Sequence, residues 1–322
     1  MSLPKISKIF IIGGTGAQGL PVIKSLVADK KYSVRVLTRD PNSARAKSLL
    51  ALGNVELHEG TFADEEILRS GFQGCDGAFV NIDGFNTGEK SEIYWAIRAY
   101  EIALQSGIKF YVYGNLDYAS KKTKTIMTPT VENGVVTWRL PMGTGSMLAV
   151  ALEDCGVYVR WLFDNRERSN GMDLEIAIED VKWAHFAKAF EEVTGHPAKY
   201  IDTSLEDYWK ERETFGQMPA GYNAVPNDKS TMNVKDNFTG FWNVWKYSLL
   251  KRDYNILDEI HPTRIKTAEE WLRMEDKKGI EDGKGTLWDR IQGENLIPIL
   301  KIGEDNWGET GKYDRELCDR GF

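Results

Sequence analysis

The stretch Ile9-Phe10-Ile11-Ile12-Gly13-Gly14-Thr15-Gly16-Ala17-Gln18-Gly19-Leu20-Pro21-Val22-Ile23 decides the fold. Four apolar residues form a short run that reads as a buried strand, and Leu20, Val22, Ile23, Leu26 and Val27 follow at helical spacing. Between strand and helix lies a glycine-rich turn in which Gly14, Gly16 and Gly19 satisfy GxGxxG and Gly13, Gly16 and Gly19 satisfy GxxGxxG. Glycines at this spacing turn the chain tightly and let backbone approach a pyrophosphate, whose charge is favoured at a helix N-terminus. The pattern therefore predicts the opening βα unit of a dinucleotide-binding Rossmann domain.

Outward from that unit, β-rich and helical runs alternate as far as Gly114, with strands expected over 9–12, 33–38, 55–58, 77–82 and 109–113. Right-handed crossovers stack such strands into a doubly wound parallel sheet with helices on both faces. The regularity stops at Gly114, because 115–133 contains no amphipathic stretch of helix length. A hairpin over 134–141, a helix over 154–163, a strand over 173–178 and a helix over 181–194 are expected next. Trp209, Phe241, Trp242, Trp245 and Trp271 stand mostly at helical spacings and read as helices capping the sheet. The organisation expected is an α/β Rossmann domain over 1–122, a smaller mixed and mainly helical part over 123–276, and an extension over 277–322.

The bulk numbers narrow the function classes. The 322 residues are 42% hydrophobic and 28% charged, enough for a large core. A net charge of -7 gives no global positive field, so direct nucleic-acid binding is not expected. No run approaches the roughly 18 apolar residues of a membrane span. Cys75, Cys155 and Cys318 are few and far apart, which fits a reducing compartment and argues against a disulfide framework. The expected location is cytoplasmic, with the nucleus as the alternative.

The strand ends supply the remaining site candidates. Arg39 follows Thr38 directly at the end of the second strand, where arginine pairs with a 2′-phosphate and an acidic residue accepts from a ribose 2′-OH; the neighbouring Asp40 keeps NAD(H) open beside the preferred NADP(H). Thr61 and Phe62 end the third strand, and Asn81, Ile82 and Asp83 end the fourth, as adenine and ribose contacts. Asp64 reads as the cap of the following helix. Tyr118 and Lys122 spell YxxxK, a phenol beside an ammonium, but in a polar loop rather than inside a helix, so the match reads as accidental. His58, His185, His196 and His261 lack metal-ligand spacing, and the catalytic residues stay unassigned.

Residues 13–19, Val34-Arg35-Val36-Leu37-Thr38-Arg39 and Tyr113-Gly114-Asn115-Leu116, with Ala151-Leu152-Glu153-Asp154 and Tyr208-Trp209 further on, resemble the NmrA-like family of atypical extended short-chain-dehydrogenase relatives. The resemblance implies a dinucleotide-binding Rossmann domain that commonly lacks a working Tyr/Lys pair and acts as a redox-sensing regulator of a protein partner such as a transcription regulator. Some relatives are reductases, so an NADPH-dependent reductase of a small carbonyl or imine is the alternative. It also implies roles residue by residue: Gly13, Thr15, Gly16, Ala17, Gln18 and Gly19 for pyrophosphate, Arg39 for the 2′-phosphate, Thr61 and Phe62 for adenine, and Asn81, Ile82 and Asp83 for the nicotinamide ribose. Relatives carry a further helix, with a lysine near the nicotinamide, and a strand after it; here the chain passes from Ser120-Lys121-Lys122 to Thr125-Ile126-Met127 without them.

Overall fold

The computed structural model describes residues 4–84, 88–114, 127–220 and 231–292. Strands β1 (Lys8–Ile12), β2 (Ser33–Thr38), β3 (Val55–Glu59), β4 (Gly77–Val80) and β5 (Phe110–Tyr113) pair in parallel in the order β3-β2-β1-β4-β5. The expected strands are all present, with small shifts at their ends. β4 stops at Val80, although the Asn81 N–H still donates to the Ile12 carbonyl at 3.2 Å. Helices α1 (Gly19–Val27), α2 (Ala44–Leu50), α3 (Glu65–Phe72) and α4 (Glu89–Gln105) make the crossovers.

Both faces of the sheet are covered because β1 is apolar on both. Ile9 and Ile11 pack with Val22, Ile23 and Leu26 of α1, while Phe10 and Ile12 pack with Phe72 of α3 and Trp95, Ala99 and Ile102 of α4. Each such buried side chain contributes about 1.5–3 kcal/mol relative to exposure.

Helix α5 (Leu152–Asp164), expected over 154–163, returns to this first sheet. Cys155 and Phe163 join the α1 side of the core, and a Cβ built on Gly156 would lie 2.4 Å from the Pro21 carbonyl oxygen, so the α1 and α5 backbones approach closely. Polar bonds fasten the same seam: Arg160 donates to the Ser25 carbonyl (3.0 Å) and to Asp29 (2.7 Å), and Asp164 accepts from Lys31 (2.6 Å) and the Tyr32 hydroxyl (2.7 Å).

A second sheet holds β6 (Thr130–Glu132) antiparallel to β7 (Val135–Leu140), with β10 (Ala198–Asp202) parallel to β7 on its other side. The expected hairpin is therefore shifted: Asn133 and Gly134, at φ 52° and 77°, form its turn, and the residues after them are its second strand. The expected strand over 173–178 is absent. That segment buries Ala177 and Ile178, so its alternation serves side-chain packing, and the Ile178 N–H donates to the Ala149 carbonyl at 2.7 Å. Two-residue strands β8 (Met147–Leu148) and β9 (Asp180–Val181) pair instead. Short α6 (Arg166–Ser169) follows α5, and α7 (Trp183–Thr194) begins two residues later than expected.

Helices α8 (Leu205–Lys210), α9 (Glu213–Gly216), α10 (Val234–Lys246), α11 (Tyr254–Ile260), α12 (Ala268–Glu281) and α13 (Leu287–Ile291) complete the chain described. The aromatic helices were expected to cap the first sheet. Trp209, Trp242 and Trp245 instead pack with Trp138 and Leu140 of β7, Trp183 and Phe190 of α7, and Leu272 of α12, in a separate core around the second sheet. The reason is the indole count: so many large rings need an enclosed apolar volume, which β7 and α7 supply. The whole is an α/β Rossmann-type fold with a mainly helical mixed C-terminal part.

Candidate functional site

The carboxyl ends of β1 and β4 meet where the strand order reverses, the position at which doubly wound sheets form ligand crevices. The glycine loop fills the β1 side of this point. Gly13 sits at φ 81°, and a Cβ there would lie 2.5 Å from the Asn81 carbonyl oxygen, so the loop presses against the start of the segment after β4. A Cβ on Gly19 would lie 2.2 Å from the Gly13 carbonyl oxygen and 2.5 Å from the Gly14 Cα. Backbone therefore stacks on backbone, and the Gly16 N–H donates to the Gly13 carbonyl at 3.0 Å. Gln18 is the N-cap of α1 without a capping side-chain bond, and no acidic side chain stands in the first turn. Its carboxamide oxygen instead accepts from Asn81 Nδ2, tying the loop to β4. In the first turn of α1 the Leu20 N–H donates to the Gly16 carbonyl at 3.1 Å and Pro21 has no N–H, and no acidic side chain of that turn offsets the partial positive charge of the helix N-terminus.

The β2 end is braced against this loop. Arg45 of α2 donates to the Thr15 carbonyl at 3.3 Å, and Ser43 caps α2 by accepting from the Ala46 N–H at 3.3 Å. Arg39 lies half-buried on the residue after β2. Asp40 is used by the turn itself: its carboxylate accepts from the Asn42 N–H at 2.8 Å and its carbonyl accepts from the Thr38 and Ser43 hydroxyls. At the β3 end, the Gly60 N–H joins the Thr38 carbonyl (2.9 Å) and Thr61 Oγ1 accepts from the Ala63 N–H (3.2 Å). Phe62 packs partly into the core, and Asp64 is the cap of α3, accepting from the Glu66 and Ile67 N–H groups at 2.9 and 3.1 Å.

The structure thus brings Gly13, Thr15, Gly16, Ala17, Gln18, Gly19, Arg39, Thr61, Phe62, Asn81, Ile82 and Asp83 to one end of one sheet, with Gly13–Asn81 and Gln18–Asn81 in direct contact. Ile82 is buried beneath α4, so its side chain belongs to the core. Tyr118 and Lys122 lie outside the described residues.

Sequence reasoning missed Glu92. A Cβ built on Gly84 would fall 1.7 Å from Glu92 Oε2, which places this half-buried carboxyl of α4 directly on the backbone that follows Asp83. Burial, then the charges of Asp83 and Glu89, push the Glu92 carboxyl above its ordinary pKa. Burial and the Glu92 charge likewise raise the Tyr113 phenol at the end of β5. In sequence, Glu89 and Glu92 are indistinguishable from ordinary first-turn acidic residues. The histidines are engaged elsewhere: His58 Nε2 contacts the Ile67 carbonyl and Ser70 hydroxyl (both 3.1 Å), His261 Nε2 contacts Asp154 (3.1 Å), His196 stacks on Trp288 with centroids 3.7 Å apart, and His185 is exposed on α7. Among the described residues no group of three or more His, Cys, Asp or Glu side chains is placed to hold a metal ion, and no helix is long and apolar enough to cross a membrane.

A parallel sheet in this order, with a glycine loop opening onto its switch point, defines the Rossmann-type α/β class. Within that class, residues 5–131 are similar to the NmrA-like family. An NmrA-like family domain-containing protein of Dictyostelium discoideum is 28% identical over 129 residues, 40% of this chain and 42% of that protein. The NmrA-like family domain-containing oxidoreductase FrzB of Cladobotryum sp is 44% identical over 75 residues, 23% of this chain and 22% of that protein. The matched stretches thus span less than half the length of these relatives. Among solved structures, NmrA, a negative transcriptional regulator, superposes with a TM-score of 0.65 at 16% identity, covering 88% of this chain and 99% of that one; it has also been solved in complex with NAD and with NADP. The NADPH-dependent quinone oxidoreductase QOR2 of Escherichia coli, complexed with NADPH, superposes with a TM-score of 0.59 at 18% identity, covering 82% and 99%.

Proposed function

We propose that this chain binds NADP(H) at the carboxyl end of its first sheet and works as a redox-sensing regulator, its nucleotide state read by a protein partner such as a transcription regulator. The observation that carries the reading is the glycine loop, packed backbone on backbone at Gly13 and Gly19 and tied to Asn81 through Gln18. A side chain at either glycine would collide with backbone and displace the loop, and the α1 N-terminus offers positive potential suited to a pyrophosphate. Gly13, Thr15, Gly16, Ala17, Gln18 and Gly19 would hold the pyrophosphate, Thr61 and Phe62 the adenine side, and Asn81, Ile82 and Asp83 the nicotinamide ribose, the last through backbone at Ile82. The bound nicotinamide would supply hydride chemistry.

NADP(H) is preferred over NAD(H) because the Asp40 carboxylate already accepts from the Asn42 N–H, whereas Arg39 supplies a planar cation at the position where a 2′-phosphate falls. Regulation requires that oxidised and reduced forms favour two states of the protein differently. The likeness to NmrA supports this half of the reading.

A second reading, an NADPH-dependent reductase of a small carbonyl or imine, is favoured by Glu92, a half-buried carboxyl of raised proton affinity beside Asp83 and Tyr113. The oxidoreductase names of the fungal relatives support it. Calorimetric titration of the wild type and Arg39→Ala with NADP+, NADPH, NAD+ and NADH separates the possibilities. Tight NADP(H) binding weakened at least about tenfold in Arg39→Ala, with NAD(H) binding unchanged, is expected. Equal affinity for all four, or none, sinks the proposal, and NADPH consumption that depends on Glu92 would favour the reductase.

A further inference from the structure

Asp154 is buried in the first turn of α5, and its charge is met from a distant part of the chain. His261, the C-cap of α11, sets Nε2 3.1 Å from the Asp154 Oδ1, the two side chains being only 15% and 11% exposed. His261 Nδ1 lies 3.4 Å from the Thr263 hydroxyl, so both ring nitrogens face oxygen, which suits an imidazolium donating from both. The helix ends agree: an anion is favoured in the first turn of α5 and a cation at the carboxyl end of α11. The Ile265 N–H adds a bond to the Asp154 carboxylate, and the Tyr158 ring stands near-perpendicular to His261 with centroids 5.9 Å apart. The opposite side of this turn of α5 faces α1. Cys155 joins the core with Val22, Ile23 and Leu26, and Gly156 meets the carbonyl of Pro21 in the first turn of α1, directly after the glycine loop. One helical turn thus stands between His261 and the helix that opens at the loop.

We propose, with nucleotide binding at the glycine loop as the premise, that the Asp154–His261 pair is a proton-operated clasp that positions α5, and through it the α1 N-terminus, for the nucleotide: closed while the imidazole is charged, loosened when it is neutral. Burial raises the Asp154 carboxyl, and the His261 charge is the largest influence opposing that burial. Histidine is the side chain that exchanges a proton between about pH 5 and pH 8. Its loss leaves a buried carboxylate short of its counter-charge, so the clasp is firm in mildly acid solution and weakens as the pH rises. The other charged groups around the pair are engaged with one another. Glu153 beside Asp154 takes Lys278 of α12 at 2.6 Å and feels Lys24 of α1. Asp258 of α11 takes Arg264 and Lys266, both at 2.9 Å, and the buried Arg264 also donates to the Ala177 and Ile178 carbonyls at 3.3 and 2.7 Å. Burial pushes the Cys155 thiol up to about 12 and the Tyr158 phenol well above its ordinary range, so neither titrates near neutrality.

Amide hydrogen exchange on the full chain, without nucleotide, tests the clasp. Read at Ile265 and in the first turn of α5 from about pH 6 to about pH 8, and divided by the intrinsic exchange rate, protection should fall at least about tenfold in the wild type. It should stay level in His261→Gln, which keeps a neutral donor, and in Asp154→Asn, which removes the buried charge; if one variant fails to fold, the other carries the comparison. Calorimetric titration with NADP+ over the same range tests the positioning role. The ratio of wild-type to variant affinity, in which the titration of the 2′-phosphate cancels, should shrink about fivefold or more as the pH rises. A merely structural pair would lower stability in the variants and leave that ratio constant. Exchange profiles that run parallel in wild type and both variants overturn the clasp, and a pH-dependent clasp with a constant affinity ratio overturns its positioning role. A wild type that shows the exchange expected but binds no nucleotide at any pH refutes the nucleotide-binding premise instead.

Discussion

Replacing Gly19 by alanine sets two opposing effects against each other. Gly19 is the first residue of α1, and alanine at an ordinary helical position stabilises by about 0.5–1 kcal/mol relative to glycine. Here the added Cβ would lie 2.2 Å from the Gly13 carbonyl oxygen and 2.5 Å from the Gly14 Cα. Both obstacles are backbone, so relief requires the loop to move by about an ångström in a close-packed surround. Overpacking of that kind costs about 1–3 kcal/mol, which outweighs the helical gain. Gly19→Ala should therefore lose up to about 2 kcal/mol and melt about 2–8 °C lower. Loop displacement should also weaken nucleotide binding at least about tenfold, the equivalent of one charge-assisted hydrogen bond. Gly240→Ala is the control: on the exposed middle of α10, with nothing within 4 Å of the added atom, it should gain about 0.5–1 kcal/mol. Thermal and denaturant melts with a parallel nucleotide titration read all three. If Gly19→Ala melted at or above the wild type while Gly240→Ala behaved as stated, the close stacking of loop on helix would be refuted.

Two further outcomes concern charged groups, Asp64 at the site's end of the first sheet and Asp76 at the opposite end. Asp64→Ala should lose about 1 kcal/mol of stability with nucleotide affinity unchanged, because its carboxylate caps α3, and Asp64→Asn should keep most of the stability; a loss of NADP(H) binding without a loss of stability would contradict the capping role. Asp76 links strand starts: burial raises its carboxyl, but Lys109 (2.8 Å), the Ser7 hydroxyl (2.7 Å) and the Ser7 and Lys8 N–H groups (3.0 and 3.2 Å) outweigh burial and hold it far below the usual carboxylate range. A folded pKa below the unfolded one stabilises the protein above about pH 4 and loses that contribution as pH falls further, so the stability gap between wild type and Asp76→Asn should shrink from pH 4 downward. A gap of constant size from pH 7 to pH 2.5 in urea melts would contradict the assignment.

The first sheet and its glycine loop were legible because their determinants are local. Apolar runs, crossover helices and the spacing of Gly13, Gly16 and Gly19 follow one another within short stretches of chain. The capping role of Asp64 was readable for the same reason. What failed was long-range. The alternation over 173–178 is that of a strand, yet pairing needs a neighbour with a free edge, and the backbone of this segment meets Ala149 through one bond. The tryptophan helices were legible as helices, but their destination depended on β10 pairing with β7, which joins residues far apart in sequence. Glu92 could not be singled out because its character comes from resting on the Gly84 backbone, a contact that periodicity does not describe.

The seam between α1 and α5 has a consequence for the order of events on the ribosome. Pro21 and Gly156 touch backbone to backbone, and Phe163 reaches the β5 residue Phe110, yet α5 is synthesised long after the five strands it helps to cover. At about 5–20 residues per second, the nascent first sheet waits several seconds with one face incompletely shielded before α5 emerges. That interval is when the apolar underside of α1 and β5 is open to chaperones or to other nascent chains, so rare codons or a pause between residues 114 and 152 would lengthen exposure of the half that carries the glycine loop.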